Sequence, residues 1–238
     1  MRKKGFTRFV LVILFIVSTS ADAITSGGSR RTIEAERWLV GLASDWSMHT
    51  VTRIDNRELK SDMRRVSGFV KFQYGLTDLF NFYGVIGAGT LSLEDRRGAP
   101  RTSRKSDAGL LWGGGAVYRL YLFANGGEMD IESSYLRQRN NQFSNITGTQ
   151  NTLLETWQGQ ITASQPHGRF IPYFGVKYSF LSINIDRDLN ESFRQDSPDY
   201  WGIVLGSRFD INAHLKLYAE GRLIDETAAS LGMYWLFP

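Results

Sequence analysis

Apolar and polar residues alternate one for one along most of this chain, and the alternation returns ten times. A period of two puts successive side chains on opposite faces, so each run predicts a strand with one greasy face. The first run, about 37–51, sets Trp38, Val40, Leu42, Trp46 and Met48 against Gly41, Ala43, Asp45, Ser47 and His49. The second, about 66–76, sets Val66, Val70, Phe72 and Tyr74 against Ser67, Lys71, Gln73 and Gly75. The third, about 79–93, predicts Tyr83, Val85, Leu91 and Leu93 on the greasy face, opposite Gly84, Ala88, Thr90 and Ser92. In the fourth, Leu110, Trp112, Ala116, Tyr118 and Leu120 alternate with Gly109, Gly113, Gly115, Arg119 and Tyr121.

The later runs follow the same rule. Met129, Ile131 and Tyr135 oppose Glu128, Asp130, Glu132 and Ser134, and Trp157, Ile161 and Ala163 oppose Thr156, Gln158, Gln160 and Thr162. Phe174, Val176, Tyr178 and Phe180 oppose Tyr173, Gly175, Lys177 and Ser179, and Trp201, Ile203 and Leu205 oppose Gly206, Arg208 and Asp210. Leu215, Leu217, Ala219 and Leu223 oppose Lys216, Tyr218, Glu220 and Arg222. The tenth run ends the sequence, with Leu231, Met233, Trp235 and Phe237 alternating with Ser230 and Gly232. Most runs reach the roughly 9–11 residues that a tilted strand needs to cross a bilayer.

The connections alternate between short and long. Thr77-Asp78, Ala124-Asn125-Gly126, 165–168 and Asn212-Ala213-His214 are short and carry the residues of tight hairpin turns. The segments 52–65, 94–107, 138–152 and 186–199 are long and polar, and only the connection near 224–227 is short at that end. Short turns at one end and long polar loops at the other are the layout of an antiparallel up-and-down transmembrane β-barrel. Ten strands is the reading, with eight as the second choice, and an even count brings both ends of the barrel to the short-turn side.

The N-terminus changes the picture of composition. Arg2, Lys3, Lys4 and Arg8 precede an apolar stretch at 9–17 and a small-x-small site, Ala21-Asp22-Ala23, which predicts a cleaved signal peptide over 1–23 rather than a single membrane anchor. A short tail at 24–36 on the periplasmic side and a barrel at 37–237 complete the division. The full chain carries 28 Lys and Arg against 24 Asp and Glu; without 1–23 the balance is 24 against 23. The basicity belongs mostly to targeting, so nucleic acid is not an expected partner. With no cysteine, the chain has neither a lipoprotein anchor nor a disulfide framework.

Between the two faces, charge and aromatic position decide. Trp38, Trp112, Trp157 and Trp201, with Tyr74, Tyr118, Tyr135, Tyr178 and Trp235, fall toward strand ends, where membrane-interface girdles stand. Opposite them lie Lys71, Arg119, Glu128, Asp130, Glu132, Lys177, Arg208, Asp210, Lys216, Glu220 and Arg222, a candidate lumen charge network of both signs. Glycines 84, 113, 115, 175, 206 and 232 would thin the inward face of a narrow cylinder.

On the Tyr83–Gly89 segment, the aromatic–glycine hairpins and the terminal strand, the chain resembles small bacterial outer-membrane β-barrel proteins of the OmpA/OmpX-like class without a periplasmic domain. In size it also resembles the omptin proteases, though not in motif. The resemblance implies a C-terminal assembly signal at Ser230, Gly232, Trp235 and Phe237, from which Pro238 departs by ending the chain after the aromatic. It implies outer-membrane lipid and lipopolysaccharide, the barrel-assembly machinery and periplasmic chaperones as partners, a monomer, and the outer membrane of a Gram-negative-type cell as location.

Candidate chemistry is thin. No metal cluster or cofactor motif stands out, and Gly113-Gly114-Gly115 lies inside a strand, not a phosphate loop. Asn145-Ile146-Thr147 and Asn190-Glu191-Ser192 read as polar loop sequence. His167 and His214 fall in short turns; His49 shares the inward face with Asp45 and Ser47 near the outer rim, and would need an acid from another strand or loop to act. The expectation is a structural, surface-interaction or adhesive barrel with an occluded, ion-paired lumen and no catalytic residues. A narrow ion or small-solute pore is the alternative, and a hydrolase built on His49 a distant one.

Overall fold

A computed structural model describes residues 33–53, 60–95, 103–140, 150–187, 192–197 and 200–237. The signal segment 1–23, the tail up to 32, Asn145-Ile146-Thr147, Asn190 and Glu191, and Pro238 lie outside the described residues. The described chain is strand and turn: β1 (Trp38–Arg53), β2 (Lys60–Gly75), β3 (Phe80–Asp95), β4 (Ser103–Lys105), β5 (Gly109–Leu122), β6 (Glu128–Asn140), β7 (Gln150–Ser164), β8 (Phe170–Arg187), β9 (Ser192–Asp196), β10 (Trp201–Asp210), β11 (Leu215–Leu223) and β12 (Thr227–Phe237). β4 and β9 are short pieces that pair beside β3 and β8, so ten strands build the wall. Every neighbouring pair is antiparallel, and β12 returns to β1 with Trp38 opposite Phe237 and Met48 opposite Thr227. The cylinder is closed and leaves no long unpaired edge.

Alternation holds along the wall, and the outward face is apolar over its middle. Phe72, Ile86, Ile161, Phe174, Val176, Leu205 and Leu231 are exposed there. Aromatics bound this belt. Trp38, Phe82, Tyr118, Trp235 and Phe237 lie toward the short-turn end, and Trp112, Trp157 and Trp201 toward the loop end. Trp38 packs on Tyr74 at 4.6 Å, Tyr135 on Trp157 at 4.5 Å and Tyr178 on Trp201 at 5.2 Å between ring centroids.

Two faces differ from the sequence expectation. On β3, Tyr83, Val85, Leu91 and Leu93 are buried inside the cylinder, while Phe82 and Ile86 face out. Gly84 lies on that outward side. The strand carries apolar residues on both faces, so polarity alone selected the wrong one. On β5, the register with β6 shifts between Arg119 and Tyr121, and this bulge turns Tyr121 outward, where it is exposed.

The walls also run further than the apolar alternation. Residues 52–53, 60–65, 94–95, 138–140, 150–152 and 186–187, read as loop from sequence, are strand. There the polarity of the two faces is exchanged. Val51, Met63, Leu91, Leu93, Leu154, Leu181, Ile183 and Ile185 form one buried cluster inside the cylinder, while Thr50, Thr52, Asp62, Arg64, Ser92 and Glu94 occupy the outer face of the same strands. Within the belt the outside is greasy; beyond it the inside is, as in a water-soluble sheet.

At the turn end the interior is again largely apolar. Ile33, Leu39, Phe69, Tyr83, Val117, Tyr218 and Tyr234 belong to one buried cluster. Inward glycines give the rings room: Gly41 lies opposite Tyr234, and Gly206 opposite Tyr173. A Cβ on either glycine would run into the ring that covers it. The Tyr218 and Tyr234 rings stack at 5.1 Å. Ile33 enters this end and is held by Asn81, whose side-chain oxygen accepts from the Ile33 amide at 2.6 Å and whose amide donates to the Ile33 carbonyl at 3.2 Å.

Candidate functional site

Between the two apolar clusters the lumen is ionic. β1 alternation turns Asp45, Ser47 and His49 inward, and all three are buried. Asp45 accepts from Ser230 Oγ at 3.0 Å and from the Arg222 guanidinium, and Arg65 Nη2 stands 3.7 Å away. Arg222 also places Nε 2.9 Å from Glu226 Oε1 and Nη1 3.6 Å from Glu220 Oε1. Glu226 is paired with Lys177 as well, and its second oxygen lies 3.0 Å from His49 Nε2. Lys177 Nζ is 2.8 Å from Asp225, which further accepts from Ser179. Tyr173 donates to Glu220 at 2.8 Å.

Asp225 and Glu226 come from the turn that joins β11 to β12. This hairpin is the shortest stretch of wall, and past its tip β1 pairs directly with β9, Thr52 opposite Asp196 and Arg53 opposite Gln195. The turn is therefore overhung by a closed wall, and Ile224, with φ of 88°, reverses the chain so that both acids enter the lumen. Ionised side chains out of water cost several kcal/mol each unless paired, so the exchange of partners among Arg65, Lys177, Arg222 and the four acids is what lets them stay there.

The eleven side chains chosen from sequence separate into three groups. Lys177, Glu220 and Arg222 join the central network. Lys71, Arg119, Glu128, Asp130 and Glu132 stand on β2, β5 and β6. There Lys71 Nζ lies 3.8 Å over the Tyr83 ring, Tyr83 donates to Glu132 at 2.5 Å, Gln160 donates to Glu132 at 2.6 Å, and Arg119 is 3.4 Å from Glu128. Arg208, Asp210 and Lys216 meet near the turn end, Asp210 lying 2.8 Å from Arg208 and 3.3 Å from Lys216. Asp45, Arg65, Asp225 and Glu226 escaped the sequence selection. Arg65 and the two turn acids lay in segments read as loop, yet Arg65 keeps the phase of Ser67 and Lys71, and that phase was the available signal.

The terminal residues serve two faces. Ser230 is buried against Asp45, Gly232 lies under the Tyr218 ring, and Trp235 and Phe237 are exposed on the belt side, 6.4 Å apart. His214 stacks on Trp235 at 6.1 Å. His49 has found an acid from elsewhere in the chain, but the pair is enclosed: His49 is 5% accessible, and Val51 two residues above it is fully buried.

No family model matches the chain, and no curated protein matches it. Solved structures do. The outer membrane protease OmpT from Escherichia coli aligns with a TM-score of 0.52 at 10% identity, over 90% of this chain and 99% of that one. An outer membrane channel from Pseudomonas putida F1 aligns at 0.46 and 10% identity, over 90% and 100%. The translocator domain of the autotransporter NalP from Neisseria meningitidis aligns at 0.43 and 11%, over 97% and 95%. The chain has the outer-membrane β-barrel fold.

Proposed function

We propose that this protein resides in a bacterial outer membrane as a closed barrel, acting through its wall and its long-loop end rather than by conducting solute through its lumen. One observation carries the reading. Inward side chains at the centre, Asp45, Arg65 and Arg222, have no accessible surface, and neither do Val51, Met63 and Ile183 nearer the loop end. A water-sized sphere cannot touch them, so an ion crossing would have to break the network or part the apolar cluster. The belt and its two girdles support placement in a bilayer with short turns on the periplasmic side.

The function that follows is structural or surface-interacting, with adhesion as one form of it. A narrow pore is the second reading, favoured by the delivery of Asp225 and Glu226 from a single turn, since one local displacement would remove two of the four acids from the path. Refolded protein in planar bilayers separates the readings. The closed barrel gives no stable unitary conductance at neutral pH, and reproducible single-channel steps would replace it with the pore. The enclosure of His49 and Glu226 weighs against a hydrolase there, because a substrate carbonyl has no route to the imidazole.

A further inference from the structure

The wall of the cylinder begins at Trp38, which pairs with Tyr74 on one side and Phe237 on the other. Nothing in the ladder requires the residues just before it, yet they are held in place. Glu36 has φ of 63°, a left-handed backbone that is uncommon outside glycine. It turns the chain back under the β2–β3 hairpin, so that Glu34, Ala35 and Glu36 stay exposed while Ile33 is buried at the turn-end mouth. A tail with no seat would run on into solvent.

The seat is built from β2, β3 and the turn between them. Asn81 Oδ1 accepts from the Ile33 amide at 2.6 Å and from Gln73 Nε2 at 3.0 Å. Asn81 Nδ2 donates to the Ile33 carbonyl at 3.2 Å and to the Thr77 carbonyl at 3.4 Å. A carboxamide offers two acceptor sites and two donors, and all four are used. Two of them meet both backbone groups of Ile33, the contacts that an adjacent strand would supply. Asp78 Oδ1 accepts from the Ala35 amide at 3.0 Å, and the Gly75 carbonyl accepts from the Glu36 amide at 2.8 Å. Gly75 also makes room, since a Cβ there would run into the Glu34 carbonyl. The Ile33 side chain joins Leu39, Val117 and Tyr234 in the buried turn-end cluster. Gln73 and Asn81 have no accessible surface, and Val117, opposite Asn81 in the ladder, is 1% accessible.

We infer that the turn-end mouth is a socket for a short peptide segment bearing an aliphatic side chain, and that residues 33–37 of this chain are its occupant. The tail is a stopper, sealing the lumen over β2, β3 and β5 without being part of the wall. Asn81, Asp78 and Gly75 hold it by its backbone, and one apolar pit takes Ile33. Main-chain bonds that give affinity and a side-chain pocket that gives specificity are the means by which sheets bind added peptides. The ionic centre and the Val51 cluster lie further along the lumen, so the stopper can leave while both stay shut.

The sequence has no cysteine, so a single introduced thiol reports where water reaches. Val117→Cys places one beside Asn81, and Met63→Cys places one in the loop-end cluster. Each is made in the full refolded protein in detergent and treated with a small charged methanethiosulfonate. Two further substitutions evict the tail by different means: Ile33→Asp puts a charge in the pit, and Gly75→Ala closes the path of Glu34. Either is expected to speed the labelling of Val117→Cys by about tenfold or more, with Met63→Cys unreactive throughout. A synthetic peptide of residues 29–37 is then added to the Ile33→Asp protein at roughly the millimolar concentration that a short tether gives the native tail. It is expected to slow the labelling again, and the same peptide with the Ile33→Asp change is not. Heat-dependent gel mobility establishes that each variant is folded. Unchanged labelling of Val117→Cys after eviction, Met63→Cys becoming reactive alongside it, or equal protection by both peptides or by neither would each overturn the socket. Loss of the folded form in both eviction variants would overturn it as well, because the tail would then be part of the wall.

Discussion

His49 and Glu226 lie 177 residues apart in sequence and 3.0 Å apart across the lumen, where Glu226 also faces Arg222 and Lys177. One carboxylate at a hairpin tip is therefore shared by two strand-borne cations. Removing it leaves Arg222 to Asp45 and Glu220, and Lys177 to Asp225, in low dielectric, whereas a cation–anion pair lost together can be nearly neutral. Glu226→Ala is expected to lower unfolding stability by about 3–5 kcal/mol, measured by urea titration in lipid vesicles. Glu226→Ala combined with Lys177→Met should recover part of that loss. A single-variant cost below about 1 kcal/mol would mean that the network is hydrated in the membrane and only marginally coupled.

Gly41 and Tyr234 make a second, purely steric prediction. They are direct cross-strand partners, and a Cβ at 41 meets the ring. Gly41→Ala is expected to displace the Tyr234 ring from its stack on Tyr218 and to cost about 1–3 kcal/mol, as overpacking does. Near-ultraviolet circular dichroism should fall with it. Ala43→Gly, on the same face, should leave the aromatic signal intact; loss of signal in both would detach the effect from the Tyr234 ring.

Trp38 opposite Phe237 closes the cylinder, and both are exposed on the belt side. If Phe237 also acts as part of an assembly signal, Phe237→Ala should reduce the heat-resistant folded fraction in cells by several-fold, while the purified chain refolds into detergent with its usual yield. Equal losses in both settings would assign the residue to closure alone.

The barrel was legible because lipid on one side and a polar lumen on the other impose the same two-residue rhythm on ten strands. The inner surface was harder to read. Greasiness identifies the outward face only where the lumen side is polar, so Tyr83, Val85, Leu91 and Leu93, which read as outward from sequence, fill the interior. Arg65 at least keeps the phase of Ser67 and Lys71, whereas Asp225 and Glu226 are silent in the sequence for a related reason: polar residues in a short turn carry no sign of whether they meet water or one another. Cross-strand register decides that, and register between strands far apart in sequence is absent from local alternation. The tyrosines that cover inward glycines were similarly visible as residues but not as pairs.

The exchange of faces along single strands has its own consequence. On β8, Val176 faces outward in the belt, while seven residues on Ile183 faces inward and is fully buried. An ionised side chain is costly at both, for different reasons: at 176 it meets hydrocarbon, about 2–4 kcal/mol for arginine at the midplane, and at 183 it meets the apolar cluster with no partner. The neighbouring position 184, outward and beyond the belt, should tolerate it. Val176→Arg and Ile183→Asp are therefore expected to destabilise by several kcal/mol, and Asn184→Asp to change stability by less than about 0.5 kcal/mol. Changing the surroundings separates the first two. In a thin, flexible detergent micelle, the cost of Val176→Arg should shrink because water reaches the side chain, while that of Ile183→Asp stays constant because the protein itself encloses the site. If both penalties fall together in the micelle, the loop-end cluster is held shut by the membrane rather than by its own packing, and the lumen would be closed only while the barrel is embedded.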